Sequence, residues 1–374
     1  MSFDSKKREE IKKYILRKIS ADDRDLLAKT MDSFGISITS VKRYMKELTE
    51  CEAITPQADC ACGYCLTEYV AEENISLSGN QMEEDRLYAV LIEGNLKSCD
   101  TNALRIWQYV CAEMLNNAIE HSRGGNIHIT VSRNALFSRI VIADDGVGVF
   151  QTLVEYMAEH GWSNPCAEDA LIELYKGKFT SDASRHSGEG IFFSSKAVDE
   201  FAIWSGAKIY KCGYGKNIDV TEHRLLAYVS RIEKIGTVVM MTLENETPRR
   251  LSEVFNMYTS VEEGFVRTRI PVKEACLTGE PVARSQARRI CNRLDEFREI
   301  ILDFDRVEVM GQGFADELFR VYALAHPQVT LCPINMISEV EQMIRHVSRG
   351  QVPENVRMNT NPLNCSPPNL DKSL

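Results

Sequence analysis

The sequence predicts a multidomain α/β protein with three folded parts and a tail. Its 374 residues are enough for two or three domains at roughly 100–200 residues each. Apolar residues recur at helical spacing in the first 50 residues, whereas residues 284–348 alternate helix and strand patterns. A composition that is 44 % hydrophobic and 26 % charged is globular, and it excludes a wholly disordered or fibrous chain.

The same composition predicts a cytoplasmic protein. No run of about 18 apolar residues is present, so we expect no membrane-spanning helix. The charged start MSFDSKKREEIKKY lacks the apolar segment of a secretory signal. Without an export signal, the twelve cysteines are expected to be thiols or metal ligands rather than disulfides.

The net charge of −10 is unevenly distributed. Residues 1–55 carry 12 Lys and Arg against 10 Asp and Glu, a balance of +2, and the remaining chain has a balance of −12. Because nucleic acid attracts positive charge, any contact with DNA is expected at the N-terminus.

Residues 1–72, the N-terminal module, are predicted to form three short helices and a β-hairpin. The third helix has its apolar residues at i, i+3, i+4 and i+7 from Val41, and its other face carries Thr39, Ser40, Lys42, Arg43 and Lys46. This order resembles a winged helix-turn-helix with residues 39–48 as the recognition helix, which implies DNA as a partner. The alternative is a protein-interaction or dimerisation module with a solvated charged face.

Four cysteines cluster in the predicted hairpin: Cys51, Cys60, Cys62 and Cys65. They could ligate zinc as four thiolates. However, structural zinc sites usually contain two C-x₂₋₄-C pairs, and only one is well formed here. Ordinary thiols in a hairpin are therefore the favoured interpretation.

Residues 75–248, the central domain, carry the clearest chemical pattern. A helix predicted from about Asn102 to His121 has Glu113, Asn117 and His121 at intervals of four, beside its core face. Such residues stack along one side of a helix. A core face does not need a carboxylate, an amide and an imidazole in line, so this stripe predicts a cleft.

Further motifs follow in a fixed order. The segments NIHITV and SRIVIA predict an antiparallel strand pair that runs into DDGVG (144–148), SGEGI (187–191) opens the apolar helix FFSSKAVDEF, and IGTVVMMTLE predicts a strand. With E-x-x-x-N-A-x-x-H before them, these motifs resemble the Bergerat-fold ATP-binding family. That family groups DNA gyrase, the heat-shock ninety chaperones, sensor histidine kinases and the mismatch-repair ATPase, and it implies an α/β-sandwich ATPase domain.

The resemblance implies roles for the helix stripe. Glu113 would be the general base that polarises the attacking water or hydroxyl. Asn117 would coordinate Mg²⁺, because a hard cation suits amide and phosphate oxygens. His121 stands where the family places a basic or polar residue near the phosphates. A hydrogen-bonded histidine at a helix end is an almost equally good interpretation of His121.

At the adenine, the resemblance implies that Asp144 accepts a hydrogen bond from the amino group and that Thr237 supports Asp144. Gly146 and Gly148 would let the chain turn tightly over the base.

At the phosphates, Gly188 and Gly190 would present backbone N–H groups, and the helix that follows would add its dipole. Between residues 150 and 187, the stretch ending in KGKFTSDASRHSGEG is predicted to form a mobile lid that carries Lys178 and Arg185.

The order of the motifs also narrows the type of ATPase. A sensor histidine kinase needs a phospho-accepting histidine before its ATP domain, but none of the seven histidines precedes His121. An orthodox histidine kinase is therefore excluded. The E-x-x-x-N-A-x-x-H motif is most similar to that of the anti-sigma-factor serine kinases of bacterial-type signalling.

Residues 258–350, the C-terminal domain, predict a small parallel or mixed sheet covered by helices. REIILDFDRVEVMGQGFADELF resembles the centre of a STAS domain, and more closely a STAS-like family found fused to such ATPases. STAS antagonists are phosphorylated at a loop that here, over residues 310–314, contains no hydroxyl. A docking or dimer-contact role is therefore expected, and residues 351–374 are predicted to be a disordered tail.

Together these patterns predict an ATP- and Mg²⁺-dependent regulatory switch. ATP would close the lid and shift the flanking domains, and slow hydrolysis would reset the switch. One alternative is a serine/threonine protein kinase that phosphorylates a separate antagonist protein, and a second is an ATP sensor without turnover. A homodimer is expected, with DNA and a protein as possible partners.

Overall fold

The computed structural model describes residues 4–77, 83–179, 188–213, 228–229, 234–276 and 279–358. Its N-terminal module consists of α1 (Ser5–Ser20), α2 (Leu26–Phe34), α3 (Ile38–Glu50) and the antiparallel pair β1 (Ile54–Pro56) and β2 (Tyr64–Leu66). Asp4 and Ser37 cap α1 and α3 with their side chains, and Gly35 ends α2 in the left-handed conformation. The predicted three helices and hairpin are therefore present.

Six strands of the described chain form the sheet of the central domain. They are β3 (Tyr69–Ser76), β4 (Asn126–Arg133), β5 (Phe137–Asp144), β6 (Glu200–Ser205), β7 (Lys208–Gly213) and β8 (Thr237–Glu244). The order is β3-β4-β5-β8-β6-β7, and every neighbouring pair is antiparallel. Strand β3 crosses residue 72, the predicted end of the N-terminal module.

Helices pack on one face of this sheet. They are α4 (Glu84–Leu87), which continues as a π turn (Tyr88–Ile92) and a 3₁₀ turn (Glu93–Asn95), α5 (Thr101–His121), α6 (Val149–Glu159), α7 (Ala167–Lys176) and α8 (Gly190–Ala197). The long helix α5 buries Trp107, Cys111 and Leu115 against the sheet. The predicted helix FFSSKAVDEF is too long, because Val198 is extended and β6 begins at Glu200.

The C-terminal domain contains a parallel sheet of three described strands in the order β11-β12-β13. Its elements are α9 (Leu251–Tyr258), β9 (Thr259–Ser260), β10 (Gly264–Phe265), β11 (Arg267–Pro271), α10 (Val272–Ala275), α11 (Arg284–Cys291), β12 (Glu299–Asp303), α12 (Gln312–Asp316), a π turn (Glu317–Tyr322), α13 (Ala323–Ala325), β13 (Thr330–Ile334) and α14 (Ser338–Val347). The alternation of helix and strand was predicted, whereas β11 was not.

The N-terminal module docks on one end of the central sheet. Leu136, in the turn between β4 and β5, is 6 % exposed and packs into the core of the module. Two ion pairs join α1 to residues at the end of β8: Lys13 Nζ lies 2.9 Å from Glu246 Oε2, and Arg17 Nη2 lies 3.3 Å from Glu244 Oε2. This is the end of the sheet away from Asp144 and Thr237, which face each other at the opposite end.

The C-terminal domain docks through α7 and α8 instead. Ile172, Phe192 and Phe193 belong to the same buried cluster as Phe265 and other residues of the C-terminal domain. The ring of Phe192 lies 4.7 Å from that of Phe265, centroid to centroid. These residues of α7 and α8 therefore belong to the core of the C-terminal domain, while the central sheet has a separate core of its own.

Candidate nucleotide site

A cavity of about 320 Å³ opens beside α5, within the size range of about 300–1,000 Å³ that is usual for ligand pockets. Its walls come from α5, the facing ends of β5 and β8, the start of α6, and the turn that leads into α8. Polar groups lie along it among apolar side chains such as Ile142, Leu153, Leu174 and Val239. The cavity is therefore both large enough and polar enough to hold a small charged molecule.

The predicted stripe on α5 lies along this cavity. Glu113, Asn117 and His121 all line it, and so does Asn116, which the sequence did not single out. Met114, Leu115 and Ala118 of the same helix are buried in the core. The four-residue spacing therefore brings a carboxylate, an amide and an imidazole to a single wall.

Asp144, the last residue of β5, lies at the cavity with only 7 % of its surface exposed. Its Oδ1 accepts hydrogen bonds from the backbone N–H of Gly146 at 2.9 Å and of Thr237 at 3.3 Å. Burial raises the pKa of Asp144, and these hydrogen bonds partly oppose the increase. The Thr237 hydroxyl accepts from the Val149 N–H at 3.0 Å, so Thr237 joins Asp144 to the start of α6.

The neighbouring Asp145 has a different environment. Its Oδ1 accepts from the N–H of Gly125 at 2.7 Å and of Asn126 at 2.9 Å, and its Oδ2 accepts from the Asn126 side chain. The hydrogen bonds from Asn126 lower the pKa of Asp145. Asp145 therefore fixes the loop before β4, whereas Asp144 serves the cavity.

The glycines predicted at the site have two locations. Gly146 and Gly148 form the turn after β5, while Gly188 and Gly190 line the cavity. Gly236, at the entry to β8, was absent from the predicted site set. A Cβ atom there would overlap Oδ1 of Asp144, so a residue without a side chain is needed beside that carboxylate.

Comparison with known families agrees with this geometry. Residues 102–247 match the family of histidine kinase-, DNA gyrase B- and HSP90-like ATPases, and residues 286–341 match a STAS-like domain of unknown function. The chain contains an ATPase domain of the first family and a STAS-like domain. No curated protein sequence matches the chain significantly.

The structure describes only part of the predicted lid, because residues 180–187 lie outside the described residues. Helices α6 and α7 occupy most of residues 149–176, and Arg185 and Ser187 lie outside the described residues. Lys178 turns toward the STAS-like domain: its ammonium donates to the Glu296 carbonyl at 2.8 Å and lies 4.5 Å from the centroid of the Phe297 ring. Burial lowers the pKa of Lys178. In this structure Lys178 therefore contacts the neighbouring domain rather than the cavity.

The nucleic-acid candidates lie far from this cavity, on α3. Lys42, Arg43 and Lys46 are exposed, and Ser40 is half-buried next to the helix cap. Carboxylates lie on the same helix: Arg43 Nε is 3.7 Å from Glu47 Oε1, and Lys46 Nζ is 3.6 Å from Glu50 Oε1. The basic face is thus partly neutralised by its own helix.

The described chain contains no group of three or more His, Cys, Asp or Glu side chains placed to hold a metal ion. Cys51, Cys60, Cys62 and Cys65 are all described, so the structure does not assemble them into a zinc site. Within the same described residues, no helix is long and apolar enough to cross a membrane.

Proposed function

We propose that the chain is an ATP- and Mg²⁺-dependent regulatory switch that binds and slowly hydrolyses ATP in the cavity beside α5. One observation carries the proposal: Glu113, Asn117 and Asp144 line the same cavity as the turn from Gly188 to Gly190. ATP hydrolysis needs a general base, a ligand for the cation, a hydrogen-bond acceptor for adenine and a turn that binds the phosphates. The ATPase family match over residues 102–247 supports the same function.

We assign recognition of the adenine base to Asp144. The ionised carboxylate accepts hydrogen bonds only, so it suits the amino group of adenine and disfavours the carbonyl oxygen that guanine has at that position. The two backbone N–H groups already bound to Oδ1 fix its orientation. The phosphates would extend toward Gly188 and Gly190, where the first turn of α8 leaves backbone N–H groups for an anion.

Hydrolysis is assigned to Glu113. Its carboxylate lies against the start of α8, in space left by the missing side chain of Gly190. A carboxylate beside the phosphates can remove a proton from an attacking water. The amide oxygen of Asn117, one turn along α5, suits Mg²⁺, which would neutralise phosphate charge when bound.

The regulatory part of the proposal concerns the flanking domains. A ligand shifts a conformational equilibrium only if it contacts the two states differently. The turn that would contact the phosphates leads directly into α8, and α8 shares a core with the STAS-like domain. We therefore propose that ATP changes the placement of this domain, and with it the availability of a protein- or DNA-binding surface.

The deciding experiment follows the γ-phosphate of radiolabelled ATP. Hydrolysis yields free phosphate, and Glu113→Gln lowers its rate by about 10²-fold or more while ATP still binds. Glu120→Gln, an exposed position on the same helix, is the matched control. Phosphate release unaffected by Glu113→Gln would contradict the assignment of the base.

A protein kinase is the second candidate, because a STAS-like domain accompanies the ATPase domain. In that case the label would appear on serine or threonine of an added antagonist protein. Bound ATP with neither product would instead indicate an ATP sensor.

A further inference from the structure

A single side chain, that of Phe179, lies between the nucleotide cavity and Arg293 of the STAS-like domain. Phe179, in the cavity wall, is 7 % exposed. The chain at Gly188 turns directly against the backbone of Phe179: a Cβ atom on Gly188 would lie 2.8 Å from the Phe179 carbonyl carbon, and Gly188 has a φ of +76°. The position of Phe179 therefore sets the position of the turn proposed to hold the phosphates.

Arg293 of the STAS-like domain covers the outer side of Phe179. The guanidinium carbon lies 5.1 Å from the centroid of the Phe179 ring. Arg293 Nε donates to Glu296 Oε1 at 2.7 Å and Nη2 to Glu296 Oε2 at 3.0 Å, while Nη1 donates to Glu173 Oε2 at 3.2 Å. The guanidinium is thus held by carboxylates from both domains while it packs on the ring.

The carboxylate of Glu173 also binds Lys176, at the end of α7. Lys176 Nζ lies 2.6 Å from Glu173 Oε1 and also donates to the Asn292 carbonyl, at the C-terminal end of α11. Lys176 is only 2 % exposed, and burial lowers its pKa. Buried charges need matched partners, and the STAS-like domain supplies two of them here: Arg293 to Glu173 and the Asn292 carbonyl to Lys176.

We propose that Arg293 is a positioning residue of the nucleotide site, which supports Phe179 and so holds the Gly188 turn in place for the phosphates. This inference rests on the proposed ATP-binding function and extends it, because it makes the STAS-like domain part of the nucleotide site. By linkage, nucleotide binding and docking of this domain then strengthen each other by the same factor.

The test compares ATP with adenosine on the full-length protein, by displacement of a fluorescent ATP analogue. Adenosine contacts the Asp144 end only, so loss of a phosphate-positioning residue affects ATP selectively. Arg293→Ala is expected to weaken ATP binding about tenfold and adenosine binding less than about twofold. Arg293→Lys keeps the charge beside Glu173 but loses the flat group on Phe179, so it should recover only part of the ATP affinity.

Arg288→Ala is the matched control, because Arg288 is exposed on α11 and pairs with Glu317 within its own domain. It should leave both affinities unchanged. Equal weakening of ATP and adenosine by Arg293→Ala, with a lower melting temperature, would show a purely structural role and overturn the inference. An unchanged ATP affinity would overturn it too. If the wild-type protein bound neither ligand, the proposed function itself would fail.

Discussion

A side chain on Gly190 would overlap the carboxylate of Glu113. The Glu113 carboxylate, the proposed base on α5, therefore occupies the space at the cavity wall that a side chain on Gly190, the first residue of α8, would fill. The helix proposed to bind phosphate and the carboxylate proposed as the base can therefore lie this close only because Gly190 has no side chain.

We therefore expect Gly190→Ala to reduce ATP hydrolysis about as strongly as Glu113→Gln, by about 10²-fold. The added methyl group pushes Glu113 aside or moves the start of α8, and either change misplaces the base. Phosphate release and ATP affinity are the measurements. Gly94→Ala is the control, because a Cβ atom at Gly94 would have nothing within 4 Å. Wild-type turnover by Gly190→Ala would refute the proposed position of the base.

Adenosine affinity should depend on pH through Asp144. Burial raises the pKa of this carboxyl above its ordinary value of 3.8, and the adenine amino group needs the ionised form. Adenosine affinity should therefore be constant at pH values well above the raised pKa and should fall as the pH decreases through that pKa. The affinity should be measured by calorimetry with adenosine, because adenosine has no phosphates whose own titration would add to the pH dependence. Asp144→Asn should bind adenosine weakly and without this pH dependence, and an identical profile in the variant would exclude Asp144 as the titrating group.

Leu136→Ala should weaken the docking of the N-terminal module. Truncating a buried leucine lowers the free energy of unfolding by about 2–5 kcal/mol. The space left by the Leu136 side chain would lie inside the core of the N-terminal module. Limited proteolysis should then cut faster in residues 67–68, between β2 and β3. Val70→Ala is the control, since Val70 is 57 % exposed on β3. ATP affinity should not change, because Leu136 lies at the other end of β5. Equal cleavage of the two variants would contradict the predicted role of Leu136.

If α3 binds DNA, reversing the charge of its basic residues should weaken that binding. If Lys42 and Arg43 contact phosphates, Lys42→Glu with Arg43→Glu should strongly weaken a salt-sensitive shift of duplex DNA and lower the salt slope of the remaining binding by about 2. The same reversal at Lys6 and Arg8, at the start of α1, controls for net charge. A wild-type protein that shifts no duplex pool at low salt would exclude this role.

The sequence predicted those parts of the site whose residues lie close together along the chain. Glu113, Asn117 and His121 share one helix, so their spacing alone places them on one side. Asp144 ends a strand of clear alternating pattern, and the structure places it on the cavity as well. Local periodicity was sufficient to group the three helix residues, whereas the place of Asp144 at the site came from the resemblance to the Bergerat-fold family.

Contacts between distant segments were not predictable in this way. Lys178 and Glu296 are 118 residues apart, and nothing around Lys178 shows that it turns toward another domain. The start of β6 was mistaken for helix because Val198 and Phe201 continue an apolar pattern, although pairing with β8 makes this segment a strand. Gly236 was identified only as part of the strand motif, because its close approach to Asp144 depends on a carboxylate 92 positions earlier.

The core shared by α7, α8 and the STAS-like domain has a consequence for how this chain can be divided. Phe192 and Phe193 are almost completely buried, largely by residues that follow position 250. An excised 75–248 fragment would present these aromatic rings to water and should aggregate. We therefore expect that replacing the STAS-like domain by that of another chain would require matching changes in α7 and α8.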